Sequence, residues 1–283
     1  MIWVIANKVE EDGSFPTYRY YKEAFGKGEI DIYCAGQDDN FSFIGKEDIV
    51  IIRTRDENIN MMVAEAQAKI GFISTLESPL TNHLTHDKNA VKEVLRSHNI
   101  PFPETINLCN LSGDGTYFVK PLFGENSSGI DSKSICHSKE EAIAKYNSLL
   151  ESGQRPMIEE YIDGMDVTTA VFNLNGKNDL KAYSIVTIPC SCDIQSESTK
   201  KEFSFIALKY DNKEVDEIAR RVFNAVGAKH LLRIDFRIRN SIPYVVDINM
   251  IPGLAPDGYM SMCMKEHGVE YLDFIRKMVG TAS

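Results

Sequence analysis

Residues 233–249 form the stretch that most constrains how this chain can fold. Polar and apolar side chains alternate without a break from Arg233 to Arg239, and after Asn240 and Ser241 the alternation resumes up to Asn249. An alternation with a period of two residues is typical of strands that bury one face. The stretch is therefore predicted to form a β-hairpin that turns at Asn240 and Ser241.

The register of this hairpin decides which side chains share a face. A three-residue loop at 240–242 is predicted to pair Asp235 with Asp247 and Arg233 with Asn249, so that these four side chains lie on one face. The opposite, apolar face would consist of Ile234, Phe236, Ile238, Tyr244, Val246 and Ile248. A two-residue loop would slip the pairing by one residue and place the two aspartates on opposite faces.

Two carboxylates that face each other across about 5 Å repel, so they need a cation or a shared proton between them. Oxygen ligands of this kind suit Mg²⁺ that is bound together with phosphate oxygens. The alternative is a surface ionic ladder in which Arg233 and Arg237 neutralise Asp235 and Asp247. The spacing alone leaves both interpretations open.

The chain as a whole is predicted to have an α/β fold of mixed α+β type. Short apolar runs alternate with helical stretches over the first 75 residues, which is typical of β-α units around a parallel sheet. Pro101 and Pro103 forbid helix and indicate a boundary, and longer strands dominate afterwards. We predict an N-terminal parallel α/β domain over 1–82, a central α+β subdomain over 83–162 and a C-terminal antiparallel-sheet subdomain over 163–283.

The composition disfavours several classes of partner. The 283 residues include 31 Lys and Arg against 41 Asp and Glu, a formal net charge of -10, which argues against binding to a nucleic-acid backbone. No apolar run approaches the roughly 20 residues that span a bilayer, and charged residues soon follow Ala6, so no signal peptide is expected. We expect a cytoplasmic protein without disulfides, in which Cys190 and Cys192 alone are weak evidence for zinc.

Three loops contain residues that suit a bound phosphate or a reacting group. The stretch 124–129 holds glycine and serine amides that can cradle phosphate, although an ordinary hairpin loop is the alternative. The stretch 191–201 is polar and without periodicity, which indicates a long loop that acts as a lid. Gly253 lies in a turn-rich stretch after Asn249, where a glycine allows a ligand to approach the backbone closely.

Together these pieces resemble the ATP-grasp superfamily and, within it, most closely the D-alanine:D-alanine ligase group. The resemblance covers residues 86–257 and implies an ATP-grasp fold. The motifs that carry it stand in the family's order and are His86-Asp87-Lys88, Val119-Lys120-Pro121 with its serine loop, residues 159–166, Lys209-Tyr210, and Arg233 to Asp235 followed by Asp247 to Gly253.

The resemblance also implies how ATP is bound. The residues it places around the nucleotide are Lys88, Lys120, Ser127 and Lys209 at the phosphates, Glu159, Glu160 and Ile162 at the adenine edge, and Asp166 at the ribose. Asp235, Asp247 and Asn249 would hold two Mg²⁺, for which Mn²⁺ can substitute, between the β and γ phosphates. The metal interpretation of the aspartate pair is then favoured over the ionic ladder.

The implied reaction turns a carboxylate into an acyl phosphate, which an amine then attacks. Arg233 and the amide of Gly253 would stabilise the oxyanion, while Lys209 and Tyr210 would act beside the closed lid. The lid is required because water hydrolyses the acyl phosphate. We therefore expect a ligase that forms an amide or peptide bond between small molecules, releases ADP and phosphate, and is a homodimer if it follows the family's common assembly.

Several substrate contacts of the D-alanine ligases are missing from this sequence. The serine that bonds the lid tyrosine in those ligases corresponds to Asn126, and the serine that grips the second substrate corresponds to Gly258. Their N-terminal glutamate motif has no match in residues 2–25. Arg53 ends a predicted strand where sheets bind ligands and is a candidate for gripping a substrate carboxylate, a structural or exposed arginine being the alternative. We predict a different carboxylate and amine.

Three alternatives stay open at the level of the sequence. The first is D-alanine:D-alanine ligase itself, which would release ADP with D-alanine alone. The second is a cyclising ligase, in which the amine and the carboxylate belong to one molecule. The third is a nucleotide-binding protein that no longer catalyses, against which the intact lysines, aspartates and Arg233 argue.

Overall fold

The computed structural model describes most of the chain, namely residues 1–7, 18–26, 28–36, 39–54, 56–123, 129–173, 179–189 and 205–280. Asn126, Ser127, Cys190, Cys192 and the predicted lid lie outside the described residues, so what was expected of them stays a prediction. No helix within the described ranges combines the length and the apolar character needed to cross a bilayer.

The N-terminal part contains the predicted parallel sheet. Its strands are β1 (Ile2–Asn7), β2 (Ile30–Ala35), β3 (Ile49–Ile52) and β4 (Ile73–Ser74), in the order β2-β1-β3-β4. Helix α1 (Tyr18–Phe25) packs on one face and α2 (Glu57–Ile70) on the other, because successive residues of β1 and β3 enter different cores. Asp56 caps the first turn of α2, and Gly71 ends it with a left-handed φ of 87°.

The central part contains two helices and a small antiparallel sheet. The two helices are α3 (Pro79–His86) and α4 (Lys88–Ser97), and they are separate because the carboxylate of Asp87 caps α4. The sheet has the order β6-β5-β7, with β5 (Tyr117–Pro121), β6 (Ile135–Cys136) and β7 (Pro156–Glu160). Helix α5 (Lys139–Glu151) packs on one of its faces, so Lys120 and Glu159 lie on the other.

The C-terminal part is built on a five-stranded antiparallel sheet. Its strands are β8 (Met165–Asn173), β9 (Leu180–Pro189), β10 (Phe205–Lys209), β11 (Leu231–Arg239) and β12 (Ile242–Asn249), in the order β10-β9-β8-β11-β12. Helix α6 (Lys213–Ala225) covers one face together with α4. Helices α7 (Tyr259–Glu266) and α8 (Tyr271–Val279) cover part of the other face together with α1. The domain limits at residues 82 and 162 stay predictions.

The hairpin of β11 and β12 turns through two residues, so the predicted three-residue loop was wrong. Asn240 and Ser241 have φ values of 52° and 64°, and Arg239 pairs with Ile242. Positive φ at both central residues is what tight hairpin turns require.

A β-bulge nevertheless restores the predicted register at the aspartates. Phe236 pairs with Val245, whereas Asp235 pairs with Asp247, so Val246 is the additional residue in β12. The predicted apolar face was wrong at two positions, because Val245, only 4% exposed, packs with Phe236 in place of Tyr244 and Val246. The pairing of Arg233 with Asn249 follows the prediction.

Glu77 joins the N-terminal part to the C-terminal sheet. Its buried carboxylate accepts hydrogen bonds from the backbone amides of Lys229 and His230, each at 2.9 Å. Buried amides left without an acceptor cost free energy. This single side chain therefore helps to set how the two parts pack.

We predict that Glu77→Ala lowers the free energy of unfolding by about 2–4 kcal/mol, because the buried amide of His230 and the partly buried amide of Lys229 lose their acceptor. Urea unfolding followed by circular dichroism measures the change. Glu47→Ala is the control, because Glu47 is exposed, and it should change stability by less than about 0.5 kcal/mol. Equal effects of the two substitutions would contradict the role given to Glu77.

Candidate active site

The two aspartates of the hairpin lie on one face with Arg233. Arg233 Nη2 is 2.8 Å from Asp235 Oδ2 and 3.8 Å from Asp247 Oδ2. Thr168 Oγ1, on the neighbouring strand β8, donates to Asp235 Oδ1 at 2.9 Å. The Nε of Arg233 is buried and has no hydrogen-bond partner among the described residues, so this guanidinium retains a donor for an anion.

Asp247 is a carboxylate that the surrounding protein neutralises incompletely. Its side chain is 39% exposed, yet its pKa is raised, because partial burial and the nearby Asp235 outweigh the attraction of Lys88, Arg233 and Lys120. A raised pKa means that the ionised form is held at a cost, which a bound divalent cation would remove. The electrostatics therefore fit a cation beside Asp247.

The donor set suits Mg²⁺ only together with other oxygens. Asn249 is buried, and its Oδ1 accepts a hydrogen bond from the Ile251 amide at 3.0 Å. In the described ranges, no three His, Cys, Asp or Glu side chains are grouped to hold a metal. Two carboxylates and one amide oxygen would therefore need phosphate oxygens or water to complete the coordination of Mg²⁺.

A buried chain of charges connects the central sheet to this hairpin. Glu159, 3% exposed, has Oε1 2.7 Å from Lys92 Nζ and Oε2 2.9 Å from Lys120 Nζ. Lys120 Nζ also donates to the carbonyl of Val246, the bulge residue, at 3.0 Å. Burial alone would raise the pKa of Glu159, but the ammonium groups of Lys120 and Lys92 outweigh it and lower that pKa. Lys120 is thus held between Glu159 and the hairpin of β11 and β12.

Lys92 was missed in the sequence analysis. Its Nζ donates to Thr105 Oγ1 at 2.8 Å, and burial lowers its pKa. The available signal was its position four residues after Lys88, which places both lysines on one face of α4. Lys88 itself donates to the carbonyl of Leu122 at 3.4 Å. Its positive charge opposes the rise in the pKa of Asp247 without cancelling it.

Of the residues predicted to meet adenine, Glu159 and Glu160 end β7 and Ile162 follows it. The carboxylate of Glu159 is occupied by the two lysines, and Glu160 Oε2 is 3.2 Å from Arg239 Nη2. The amide of Glu160 donates to the carbonyl of Glu104 at 3.0 Å. Ile162 is buried. The structure therefore assigns the Glu160 side chain and amide to contacts within the protein.

A cavity of about 560 Å³ opens next to this segment. Side chains that line it include Tyr161, Asp166, Thr187 and Arg237. Gly164 closes one side, where a Cβ would lie 2.1 Å from the carbonyl oxygen of Ile238, so only glycine fits. Asp166, the predicted ribose ligand, therefore faces a space large enough for part of a nucleotide.

The cavity disfavours the ionised form of the Asp166 side chain. Its side chain is 3.5 Å from Arg237 Nη1. Burial raises the pKa of Asp166 to about 6, with a further contribution from Asp235, while Arg237 opposes the rise. The carboxylate is thus ionised at neutral pH but destabilises the fold there.

Lys209 and Tyr210 contact residues of the segment that follows them. Lys209 Nζ is 2.9 Å from Asp211 Oδ2. Tyr210 packs beside the core under α6, and its hydroxyl accepts a hydrogen bond from Asn212 Nδ2 at 3.0 Å. Their predicted action on the γ-phosphate stays a prediction, since the lid beside them lies outside the described residues.

The loop that carries Gly253 is fixed from several sides. Arg53 Nη2 donates to the Pro252 carbonyl at 2.8 Å. Further along, Tyr271 Oη donates to the Leu254 carbonyl at 2.7 Å. Gly258 precedes α7, and a Cβ there would lie 3.2 Å from the carbonyl oxygen of Gly253. The position that corresponds to a serine of the D-alanine ligases in the resemblance therefore lies in a tightly packed loop.

Comparison with known proteins assigns this architecture. Residues 115–280 match the family model described as D-ala D-ala ligase C-terminus. The chain belongs to this family. It is similar to the D-alanine--D-alanine ligase of Bacillus anthracis, with 25% identity over 218 residues, 72% of this chain and 69% of that protein. The corresponding ligase of Carboxydothermus hydrogenoformans is 26% identical over 237 residues, 74% of each chain.

Solved structures with the same fold also belong to D-alanine ligases. The B. anthracis D-alanine--D-alanine ligase complexed with ATP superposes with a TM-score of 0.74 at 20% identity, covering 99% of this chain and 96% of that one. The VanG D-Ala:D-Ser ligase of Enterococcus faecalis gives 0.73 at 17% identity, covering 99% and 98%. The ATP-grasp fold is therefore confirmed.

Membership of the D-alanine ligase family also confirms the predicted class of enzyme. The protein is an ATP-dependent ligase that joins a carboxylate to an amine. The alternative of a nucleotide-binding protein without activity is therefore set aside.

We predict that Asp166→Asn raises the free energy of unfolding at pH 8 by roughly 1–3 kcal/mol, because it removes an ionised carboxylate that burial disfavours. The ordinary carboxyl pKa is 3.8 and the folded one about 6, so the gain should develop as the pH rises through this window and vanish below it. Urea unfolding at several pH values measures it. The same variant should weaken ATP binding in calorimetry.

Asp163→Asn is the matched control, since Asp163 lines the same cavity but is exposed. It should leave the pH dependence of stability unchanged. A gain for Asp166→Asn of the same size at pH 4 and pH 8 would show that ionisation is not the cause.

Proposed function

We propose that this ligase activates an amino-acid-type carboxylate and joins it to the amine of a small molecule, with substrates other than two D-alanines. The juxtaposition of Arg233, Asp235 and Asp247 with Lys120 is the observation that carries the proposal. We further propose that the enzyme acts in the cytoplasm and as a homodimer, as the resemblance implies, without nucleic-acid or membrane partners.

The nucleotide would lie between the central and C-terminal sheets. The residues proposed to bind it are Lys88, Lys120, Ser127 and Lys209 at the phosphates, Glu159, Glu160 and Ile162 at adenine, and Asp166 at the ribose. Asp235, Asp247 and Asn249 would hold Mg²⁺, two ions in our proposal, which would neutralise charge on the phosphates. The raised pKa of Asp247 supports this assignment, because the protein's own cations leave that carboxylate undercompensated.

The reaction would proceed in two steps. A carboxylate oxygen of the substrate attacks the γ-phosphorus and ADP leaves, which gives an acyl phosphate. The amine then attacks the acyl carbon, phosphate leaves, and the nitrogen loses a proton. Arg233 would stabilise the oxyanion of the second step, and its unpartnered Nε is a donor suited to this task.

Gly258 supports substrates that differ from those of the relatives. A side chain at this position would begin 3.1 Å from the carbonyl oxygen of Ala255 and 3.2 Å from that of Gly253. A serine here would therefore require the loop to shift. The contact that such a serine makes with the second substrate is absent from this chain, so the amine substrate is expected to be held differently.

We predict that Asp247→Ala lowers ATP turnover by about 100-fold or more, because a metal ligand is lost. The ADP formed in the presence of Mg²⁺ and the substrates measures turnover, and circular dichroism checks the fold. Asp114→Ala, at an exposed position, is the control and should leave turnover unchanged. Normal turnover in Asp247→Ala would refute the metal assignment.

We predict that phosphate release requires a carboxylate and an amine that are not both D-alanine. The test is phosphate release by the wild-type enzyme over amino acids of both hands, singly and in pairs. Full activity with D-alanine alone would identify a D-alanine:D-alanine ligase. Release with one substrate that yields a ring, without a second amine, would identify the cyclising reaction.

A further inference from the structure

Arg53 reaches from the N-terminal part to the loop after β12. Its backbone amide donates to the carbonyl of Ile5 in β1 at 2.8 Å, which holds Arg53 at the end of the parallel sheet. Its Nη2 donates to the carbonyl of Pro252 at 2.8 Å, across 199 positions of sequence. We propose that Arg53 is a positioning residue, which orients the peptide group between Pro252 and Gly253 for catalysis.

The peptide group explains how a bond to one residue acts on the next. The Pro252 carbonyl and the Gly253 amide belong to the same planar unit, and in a trans peptide they point in opposite directions. A donor that fixes the carbonyl therefore also fixes the direction of the Gly253 N–H. A cationic donor polarises the unit as well, which strengthens that N–H as a hydrogen-bond donor.

The surroundings of Gly253 agree with this role. An added Cβ would meet no atom within 4 Å, so the loop is open at this residue. The flanking backbone is held separately, because Asn249 accepts from the Ile251 amide at 3.0 Å and Tyr271 donates to the Leu254 carbonyl at 2.7 Å. Arg53 is the residue through which the N-terminal part holds the peptide in between.

This arrangement couples packing of the two parts to chemistry. The inference rests on the proposed function, in which the Gly253 amide stabilises the oxyanion of the second step. Because Arg53 and Gly253 belong to different parts of the fold, the amide is oriented only when these parts are packed together. Arg53 thus acts through Gly253, whereas the sequence made it a candidate for a direct grip on the substrate carboxylate.

The structural half of the test needs no substrate. The pair Pro252-Gly253 is the one Pro-Gly pair in the sequence, so protein labelled with carbonyl-¹³C proline and ¹⁵N glycine gives a single carbonyl-to-amide correlation peak in NMR. We expect Arg53→Ala to move the carbonyl shift of this peak upfield, since the hydrogen bond is lost. Arg53→Lys, which keeps one cationic donor, should restore part of the shift.

The kinetic half of the test measures the two chemical steps separately. Its substrates are the carboxylate and the amine that the phosphate-release scan identifies. Hydroxylamine traps the acyl phosphate as a hydroxamate, which measures the first step, and product measures the second. We expect Arg53→Ala to slow product formation about tenfold or more. The hydroxamate rate and the Michaelis constant of the carboxylate should stay within about twofold of wild type, because the first step needs no oxyanion donor.

Arg276→Ala is the matched control, because Arg276 Nε also donates to a backbone carbonyl, that of Ala24, at 3.0 Å. It should leave unchanged the carbonyl shift of the labelled peak and the ratio of hydroxamate formation to product formation. An unmoved peak in Arg53→Ala, or a moved peak with normal product formation, would overturn the proposal. A raised Michaelis constant for the carboxylate in Arg53→Ala, with hydroxamate formation lost as much as product formation, would also overturn it. That result would show that Arg53 grips the substrate carboxylate directly.

Failure of the proposed function would look different from these outcomes. In that case the wild-type enzyme itself would release no phosphate with any pair of amino acids. The labelled peak would still show whether Arg53 holds the peptide group.

Discussion

The repulsion between Asp235 and Asp247 is the constraint around which the site is built. The sheet holds the two carboxylates opposite each other, Arg233 contacts both, and Thr168 supports one of them. These contacts do not remove the strain, since the pKa of Asp247 stays raised. In the proposed function a divalent cation and phosphate oxygens would complete this site, so charge balance would link ATP binding to the integrity of the site.

The β-bulge that pairs Asp235 with Asp247 also holds the central sheet against the hairpin of β11 and β12. Lys120 contacts both Glu159 and the carbonyl of Val246, and the second contact depends on the bulge in β12. Glu159 in turn is held by Lys92 from α4. The bulge therefore does two things: it returns the aspartates to a common face, and it presents a carbonyl to the lysine. In the proposed function substrate identity depends on other positions, among them Gly258, which corresponds to a serine of the D-alanine ligases in the resemblance.

Much of the fold was predictable because it depends on local patterns. The alternation of short apolar runs with helical stretches over the first 75 residues indicated the parallel sheet. The ion pair of Lys92 with Glu159 and the bonds of Tyr210 and Glu160 were not predictable, although the spacing of Lys92 from Lys88 places both lysines on one helix face. Each depends on which element packs opposite, and a single sequence without alignment carries no signal for such long-range contacts.

The sequence by itself determined that residues 233–249 form a hairpin with carboxylates and an arginine on it, because a period of two needs no knowledge of distant neighbours. Only the tertiary structure decided that Asp235 faces Asp247. A two-residue turn alone would have separated them, and the bulge at Val246 brought them back. The adjacent Val245 and Val246 interrupt the period-two pattern without showing which of them is the additional residue, and the Lys120 contact that accompanies the bulge forms only after two sheets have packed together.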